Sequence, residues 1–297
     1  MRKVCHWIFI CAAVLCACHG NEKSIKRNPS SNEYHRIISF APSITETLFA
    51  LGMGDKVAGV TSFCHYPFEA KKIPSIGGYT NPNFEMIVRT KPDLVILMKE
   101  HHRVIEFLNK NHMEYLLTDN RDLSLIQESI MLIGKKCGKS READSLVALI
   151  KNEVSQKTRL KKPPRVLVCI DRDNRGSGSI ARLFAAGRST FYNDLLIAAG
   201  LENAIEGRIA YPQLSIEGII KIQADIIIDI TPSVFQLPPK TIEDDWKSLN
   251  MVPAIKNHMV FCLSEDYLMI PGPRVYMILR DFNRIANTFR RCADARH

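Results

Sequence analysis

The sequence predicts an α/β fold of two similar lobes, each with a central, largely parallel sheet, joined by a single long α-helix. Three observations carry this expectation. Short apolar runs alternate with stretches of helical spacing from residue 35 onward. Between the two series of runs lies a segment from Ser140 to about Lys161 in which Ala143, Leu146, Val147, Ile150 and Val154 recur at helical spacing. A pattern that precedes a strand in the first half also returns before a strand in the second half.

Taken in order, residues 37–40 (Ile-Ile-Ser-Phe) read as the first strand. Ser43 and Glu46 have capping-box spacing and open a helix that Gly52 ends. Residues 57–60, 93–97 and 115–117 complete the first series of strands. Ser140 is expected to cap the joining helix, with Glu142 and Asp144 early and Lys157, Arg159, Lys161 and Lys162 late, a polarity that suits the helix dipole. Pro163-Pro164 stops it, and about 20 residues of helix would run roughly 30 Å. Residues 166–170, 226–230 and 259–263 form the second series. Continuous apolar strands of this kind belong in sheets covered by helices on both faces.

The repeated pattern is Asn83-Phe84-Glu85 before Asp93, and Ser215-Ile216-Glu217 before Asp225. In each, a capping residue stands two positions before the glutamate and an aspartate opens a strand eight after it. The expected organisation is residues 1–17 as a signal, 18–34 as a tether, 35–139 as the N-terminal lobe, 140–162 as the joining helix and 163–297 as the C-terminal lobe.

The N-terminus reads as an address. Arg2-Lys3 precede an apolar run that is shorter than the roughly 20 residues a bilayer span needs. Leu15-Cys16-Ala17-Cys18 resembles a bacterial lipobox, which implies cleavage before Cys18 and diacylglyceryl on its sulfur. A plain secretory signal or an uncleaved anchor is the alternative. The polar residues 19–34 would span on the order of 20 Å as a coil, and two acyl chains would hold the tether firmly. The expectation is an exported protein, lipid-anchored to a membrane surface and periplasmic in a Gram-negative cell.

Composition narrows the class. With 46% apolar and 24% charged residues the chain is an ordinary folded protein rather than a low-complexity polymer. The formal charge of +9 includes Arg2 and Lys3, leaving 9 − 2 = +7 after cleavage, scattered without a basic block, so nucleic acid is not an expected partner. Of nine cysteines, Cys5, Cys11 and Cys16 fall in the signal and Cys18 takes the lipid. Cys64, Cys137, Cys169, Cys262 and Cys292 remain, with no CxxC pair; Cys169 and Cys262 read as small buried hydrophobes, and one disulfide among the five stays open. Gly52-Met53-Gly54 follows a helix rather than a strand, and no P-loop, GxSxG or HExxH occurs, so catalysis is not expected. His65, His101, His102 and His258 are the sole supply for a zinc-receptor alternative.

Several motifs then stand in a telling order. Ile37-Ile38-Ser39-Phe40-Ala41-Pro42-Ser43 is followed by Gly59-Val60-Thr61-Ser62-Phe63 and Ile76-Gly77-Gly78-Tyr79. Further on come Ala186-Gly187-Arg188-Ser189-Thr190-Phe191, Tyr211-Pro212-Gln213-Leu214-Ser215 and Pro273-Arg274. From Arg36 to the C-terminus the chain resembles the helical-backbone (class III) substrate-binding proteins of ABC importers, which carry cobalamin, ferric siderophores or haem. The resemblance implies two Rossmann-like lobes on one backbone helix, small lobe motions, and a ligand in the cleft between them.

It also implies roles for individual residues. Glu85 and Glu217 match the family's two docking glutamates, which meet arginines on the permease and set docking register. Phe63, Tyr79, Tyr211 and Tyr267, with Asp266, fall where cobalamin-binding relatives place cleft residues, and Phe184 is a further cleft candidate. Aromatic walls bury a flat macrocycle at low entropy cost. Tyr79 also matches a tyrosine that some haem carriers use on iron, His101 and His102 follow the third strand as candidate metal contacts, and Ile270 stands where cobalamin relatives carry a basic residue. No resident cofactor is implied; the cargo would be a cobalt corrinoid or an iron chelate. The implied partners are an ABC permease with its ATPase, and the receptor is expected as a monomer.

Overall fold

A computed structural model describes residues 33–156, 162–232, 235 and 237–295. The expected signal, Cys18 and most of the tether lie outside the described residues. Tyr34, placed at the end of the tether, already packs at 3% exposure with its hydroxyl donating to Glu114 at 2.7 Å. The body that follows is one compact unit built on two sheets.

The first sheet is fully parallel, with β1 (Ile37–Ser39), β2 (Val57–Val60), β3 (Leu94–Met98) and β4 (Tyr115–Thr118) in the order β2-β1-β3-β4. Its strands are mostly apolar because both faces are covered. Ile37, Leu94 and Ile96 join the core shared with α1 (Pro42–Ala50) and α4 (Leu123–Lys136). Ile38, Val95 and Leu97 turn to the opposite face, against α2 (Phe84–Thr90) and α3 (His102–Lys110).

The second sheet contains β5 (Arg165–Arg172), β6 (Arg182–Ala185), β7 (Glu202–Asn203), β8 (Gln213–Ser215), β9 (Ile226–Ile230) and β10 (Val260–Leu263). Its order is β10-β9-β5-β6-β8, with β7 also on β5. β10, β9, β5 and β7 run parallel, whereas β6 and β8 are antiparallel additions. The apolar-run reading missed β6, the two-residue β7 and β8. In β6, exposed Arg182 and Phe184 alternate with buried Leu183 and Ala185, the pattern of a half-covered antiparallel strand. Between the sheets in sequence comes α5 (Ser140–Ser155), and α6 (Phe191–Ala198), α7 (Ile216–Ile222), α8 (Pro239–Trp246), α9 (Pro253–Lys256) and α10 (Val275–Asp294) complete the fold. No described helix is long and apolar enough to cross a membrane.

Two expected caps are not used. Pro42 takes the first helical position of α1, so Ala41 is the cap and Ser43 is buried inside the helix. Glu46 is drawn instead to Arg274. In α5, Ser140 is the first helical residue and Lys139 the uncapped boundary. The helix covers 16 residues, roughly 24 Å, and ends at Ser155; Lys157, Arg159 and Lys161 lie outside the described residues. Gly52 does end α1, with φ +71°. At Gly134 of α4 an added Cβ would collide with the Ala143 Cβ of α5, so the lack of a side chain permits the close approach of these helices.

The repeated pattern marks equivalent corners of the two sheets. Asn83 caps α2 on the Met86 N–H and Ser215 caps α7 on the Gly218 N–H. Both helices end in a left-handed residue, Lys91 and Gln223. The Asp93 and Asp225 carboxylates accept the backbone N–H of Arg36 and Arg165, at 3.0 and 2.9 Å. Those two arginines then donate side-chain N–H groups to the last carbonyls of the helices, Thr90 and Ile222. All five described cysteines are free. Cys169 is fully buried in central β5, whereas Cys262 is half-buried because β10 is an edge strand.

Candidate functional site

Parallel strands deliver their following loops to one edge of a sheet, and ligands of open α/β sheets bind there. In the first sheet that edge presents Ala41, Pro42 and Ser43 after β1, Met98 at the end of β3 with Glu100 after it, and Asn120 and Arg121 after β4. Tyr79 joins them from the β2–α2 connection. Facing them are Phe191 at the start of α6, Tyr211 before β8, and the segment Met269-Ile270-Pro271 that leads into α10. Together they enclose a cleft of about 330 Å³. A wider groove of about 890 Å³ along α5 and α10 is lined by polar and basic side chains, including Arg280 and Arg290, away from the strand ends and without an aromatic wall.

Tyr79 is held rigidly. Its hydroxyl donates to Glu100 at 2.6 Å, and its ring meets His101 edge-on with centroids 4.3 Å apart. Burial first, and then the Glu100 carboxylate, push the phenol pKa well above its ordinary value, so the oxygen keeps its proton. His101 is buried between Phe40 and Tyr79, and its Nδ1 accepts the Met98 N–H at 3.2 Å. That bond puts the proton on Nε2, and burial lowers the pKa of the ring, so His101 is a neutral wall support. His102 starts α3 and is exposed. Among the described residues no three His, Cys, Asp or Glu side chains converge as a metal site.

The loop after β4 supplies Asn120 and Arg121 to the cleft. Arg121 grips Asp119 with two nitrogens, at 2.9 and 2.7 Å, and this pairing holds the Asp119 carboxyl below its usual range. Lys99 also lies 3.7 Å from Asp119. Asn120 donates through Nδ2 to the Pro271 carbonyl at 2.8 Å, tying the first sheet to the segment before α10. The Leu123 N–H, opening α4, donates to Asp194 of α6 at 2.9 Å, a second tie between the two halves.

Of the expected ligand residues, Tyr79 and Tyr211 come together on the cleft wall. Ile270 lines it too, and a cation stands opposite, on Arg121 of the first sheet. Phe63 stands off the wall, 59% exposed and near Gly78. Tyr267 is turned into the core, where its hydroxyl donates to Asp281 at 2.8 Å, and Asp266 pairs with Arg274 at 2.8 Å. Phe184 projects from β6 outside the lining residues, because its register opposite Gln213 sends it to the exposed face. Glu85 and Glu217 are both exposed in the first turns of α2 and α7; Glu217 also accepts the Ser215 hydroxyl at 2.7 Å, which lowers its pKa. Met98, Phe191, Met269 and the Asn120-Arg121 pair were not anticipated. Asn120 and Arg121 directly follow a parallel strand, and that position was the available signal.

Residues 37–267 match the family model described as periplasmic binding protein. The chain is 31% identical over 268 residues to an uncharacterized ABC transporter substrate-binding lipoprotein, YvrC, of Bacillus subtilis, covering 86% of this chain and 79% of that protein. It is 25% identical to a vitamin B12-binding protein of Pectobacterium carotovorum, covering 82% of this chain and 84% of that one. Among solved structures, the periplasmic heme-binding protein RhuT from Roseiflexus in apo form superposes with a TM-score of 0.70 at 27% identity, over 85% of this chain and 99% of that chain.

Proposed function

Since this chain belongs to the periplasmic binding protein family, whose members are solute-binding proteins of ABC transporters rather than enzymes, we propose that its cargo is a metal-bearing chelate, a cobalamin-type corrinoid before others, held in the cleft between the two sheets and handed to the permease. The observation that carries this is the wall itself. Tyr79 and Met98 on one side and Phe191, Tyr211 and Met269 on the other present flat, polarizable surfaces to a thin guest. A cleft of about 330 Å³ lies at the small end for ligand sites and grips part of a macrocycle.

Charge favours the corrinoid over anionic chelates. Lys99 and Arg121 balance Asp119 and Glu100, so this wall offers no net cationic field to haem propionates or catecholates. Haem is the second reading, supported by a phenol oxygen in the cleft. Iron would have to displace the proton that burial and Glu100 hold on Tyr79, releasing it to Glu100 or solvent. Glu85 and Glu217, equivalent in the two halves, pair with basic residues of the permease. Cys18 carries the lipid that keeps the monomeric receptor on the membrane surface.

Calorimetric titration of the purified chain with cyanocobalamin, haemin and ferric chelates tests the reading. Cyanocobalamin is expected to bind tightest, with Tyr79→Ala and Tyr211→Ala each weakening it about tenfold. Haemin binding without cyanocobalamin binding would replace the first reading by the second, and no binding by any of them would end both.

A further inference from the structure

We propose that the basic groove between α5 and α10 binds the anionic phospholipid headgroups of the membrane that carries the receptor, and parks the body there between deliveries. The inference rests on the lipid-anchor reading above, which brings that surface within reach, and is independent of which chelate the cleft holds.

The sequence scatters its positive charge, and helix geometry gathers part of it. Arg280, Arg284, Asn287 and Arg291 recur at steps of four, three and four, with Arg290 beside them, so they share one stripe of α10. The stripe runs about 16 Å, while Ile278, Phe282 and Ile285 bury the opposite face. Glu153 of α5 lines the other bank of the groove. It accepts Arg280 Nε at 3.0 Å, and Asp281 accepts Arg284 Nη2 at 2.7 Å. Both arginines stay open to solvent all the same, at 57% and 68% side-chain exposure. Arg290 and Arg291 are exposed and meet no carboxylate among the described residues; Arg291 reaches the Thr288 hydroxyl alone, at 3.5 Å. Four guanidinium groups thus face a groove that one lining carboxylate enters. Guanidinium forks match the paired oxygens of a phosphate ester, and the Asn287 amide can serve headgroup hydroxyls.

The tether selects a membrane as the source of phosphate. It ends at Tyr34, whose ring lies against Lys136 at the end of α4; α4 packs on α5, and α5 on α10. A tether of on the order of 20 Å keeps this side of the body close to the bilayer, so weak attraction suffices. Cations near an anionic leaflet are drawn to it within a Debye length. Tyr34 also enters β1 from the N-terminal edge of a fully parallel sheet, whereas the cleft opens at the C-terminal edge. Lying on the groove therefore leaves the cleft free to load, and delivery requires release from the lipid.

The test is flotation of the mature chain carrying Cys18→Ser, which removes the lipid and reads the groove alone. It should bind phosphatidylcholine vesicles holding about 30% phosphatidylglycerol, not phosphatidylcholine alone, and come off in about 0.5 M sodium chloride. Arg290→Gln with Arg291→Gln should weaken binding by at least about tenfold. Lys71→Gln with Lys72→Gln, an equal loss of charge in the β2–α2 connection, should leave it unchanged. Arg290→Lys with Arg291→Lys should keep most of it, and thermal melts check the fold of each variant. No flotation on the anionic vesicles, or equal weakening by the lysine pair, would overturn the inference and leave the anchor reading standing. Calorimetric binding of glycerol 3-phosphate without flotation would overturn it in favour of a dissolved anion. An unmodified Cys18 in membrane-extracted receptor, read by mass spectrometry, would overturn both.

Discussion

The Arg274 guanidinium holds the Glu46 carboxylate through two bonds, Nε at 2.9 Å and Nη2 at 2.6 Å, across 228 residues of sequence. Glu46 is 2% exposed within α1, and Arg274 is 8% exposed at the head of α10. Arg274 also reaches Asp266 at 2.8 Å, and the Tyr66 ring covers its face at 3.8 Å. The pair therefore fastens the C-terminal helix to the first helix beside Ser43 and Pro271, both of which line the cleft.

Removing the arginine strands a buried carboxylate. Arg274→Met is expected to lower stability by about 3–5 kcal/mol in urea unfolding at pH 7.5. Burial already raises the Glu46 pKa above 4.5, and losing Arg274 raises it further. A raised folded pKa gives stability that is full below the unfolded value and lost as pH rises through the folded one. The defect should therefore shrink as pH falls toward 4.5, and a defect independent of pH would contradict this account.

Asp119 carries the opposite sign. Arg121 depresses its folded pKa below 3.8, so its contribution is present above that value and disappears as pH falls through the folded pKa. Wild type should exceed Asp119→Asn in stability at pH 6, and the two unfolding curves should converge under strongly acidic conditions.

In the second sheet, Arg172 lies fully buried between Asp229 at 2.7 Å and Asp245 at 2.8 Å. Trp246 donates to the same Asp229 at 2.8 Å, and Asp245 accepts the Gly176 and Gly178 N–H groups that hold the loop after β5. Arg172→Met leaves two buried carboxylates, with an expected loss of about 3–5 kcal/mol and an altered near-ultraviolet dichroism from Trp246. A native Trp246 signal at unchanged stability would show that the cluster needs no cation.

The paired corners predict a graded result. Asp93 accepts two backbone N–H groups, from His35 and Arg36, and Asp225 accepts one, from Arg165. Asp93→Ala should cost about 2–3 kcal/mol and Asp225→Ala about 1.5 kcal/mol in denaturant titrations. The reverse order would break the equivalence of the two corners.

Charge reversal of Glu85 and Glu217 together should abolish uptake in a reconstituted importer while calorimetric affinity for the cargo stays unchanged. Loss of affinity in the double variant would remove these residues from a docking role.

Much of the architecture was legible because it is local. Strands buried on both faces appear as unbroken apolar runs, and the caps at Asn83 and Ser215 depend on N–H groups three residues on. Strands β6 and β8 were illegible because half-covered strands dilute that signal. Ser43 and Glu46 have the spacing of a capping box, yet Pro42 and a distant arginine assign them other work.

By itself the sequence determined two α/β halves, the helix between them and the aromatic character of Tyr79 and Tyr211, since periodicity and composition act over a few residues. Only the tertiary structure decided that Tyr267 and Asp266 face Asp281 and Arg274, and that Asn120 reaches Pro271 while its oxygen stays unpaired. The physical reason is that a hydrogen bond or ion pair set by packing leaves no periodic trace, whether it spans 8 residues, as Asp266 and Arg274 do, or 151, as Asn120 and Pro271 do.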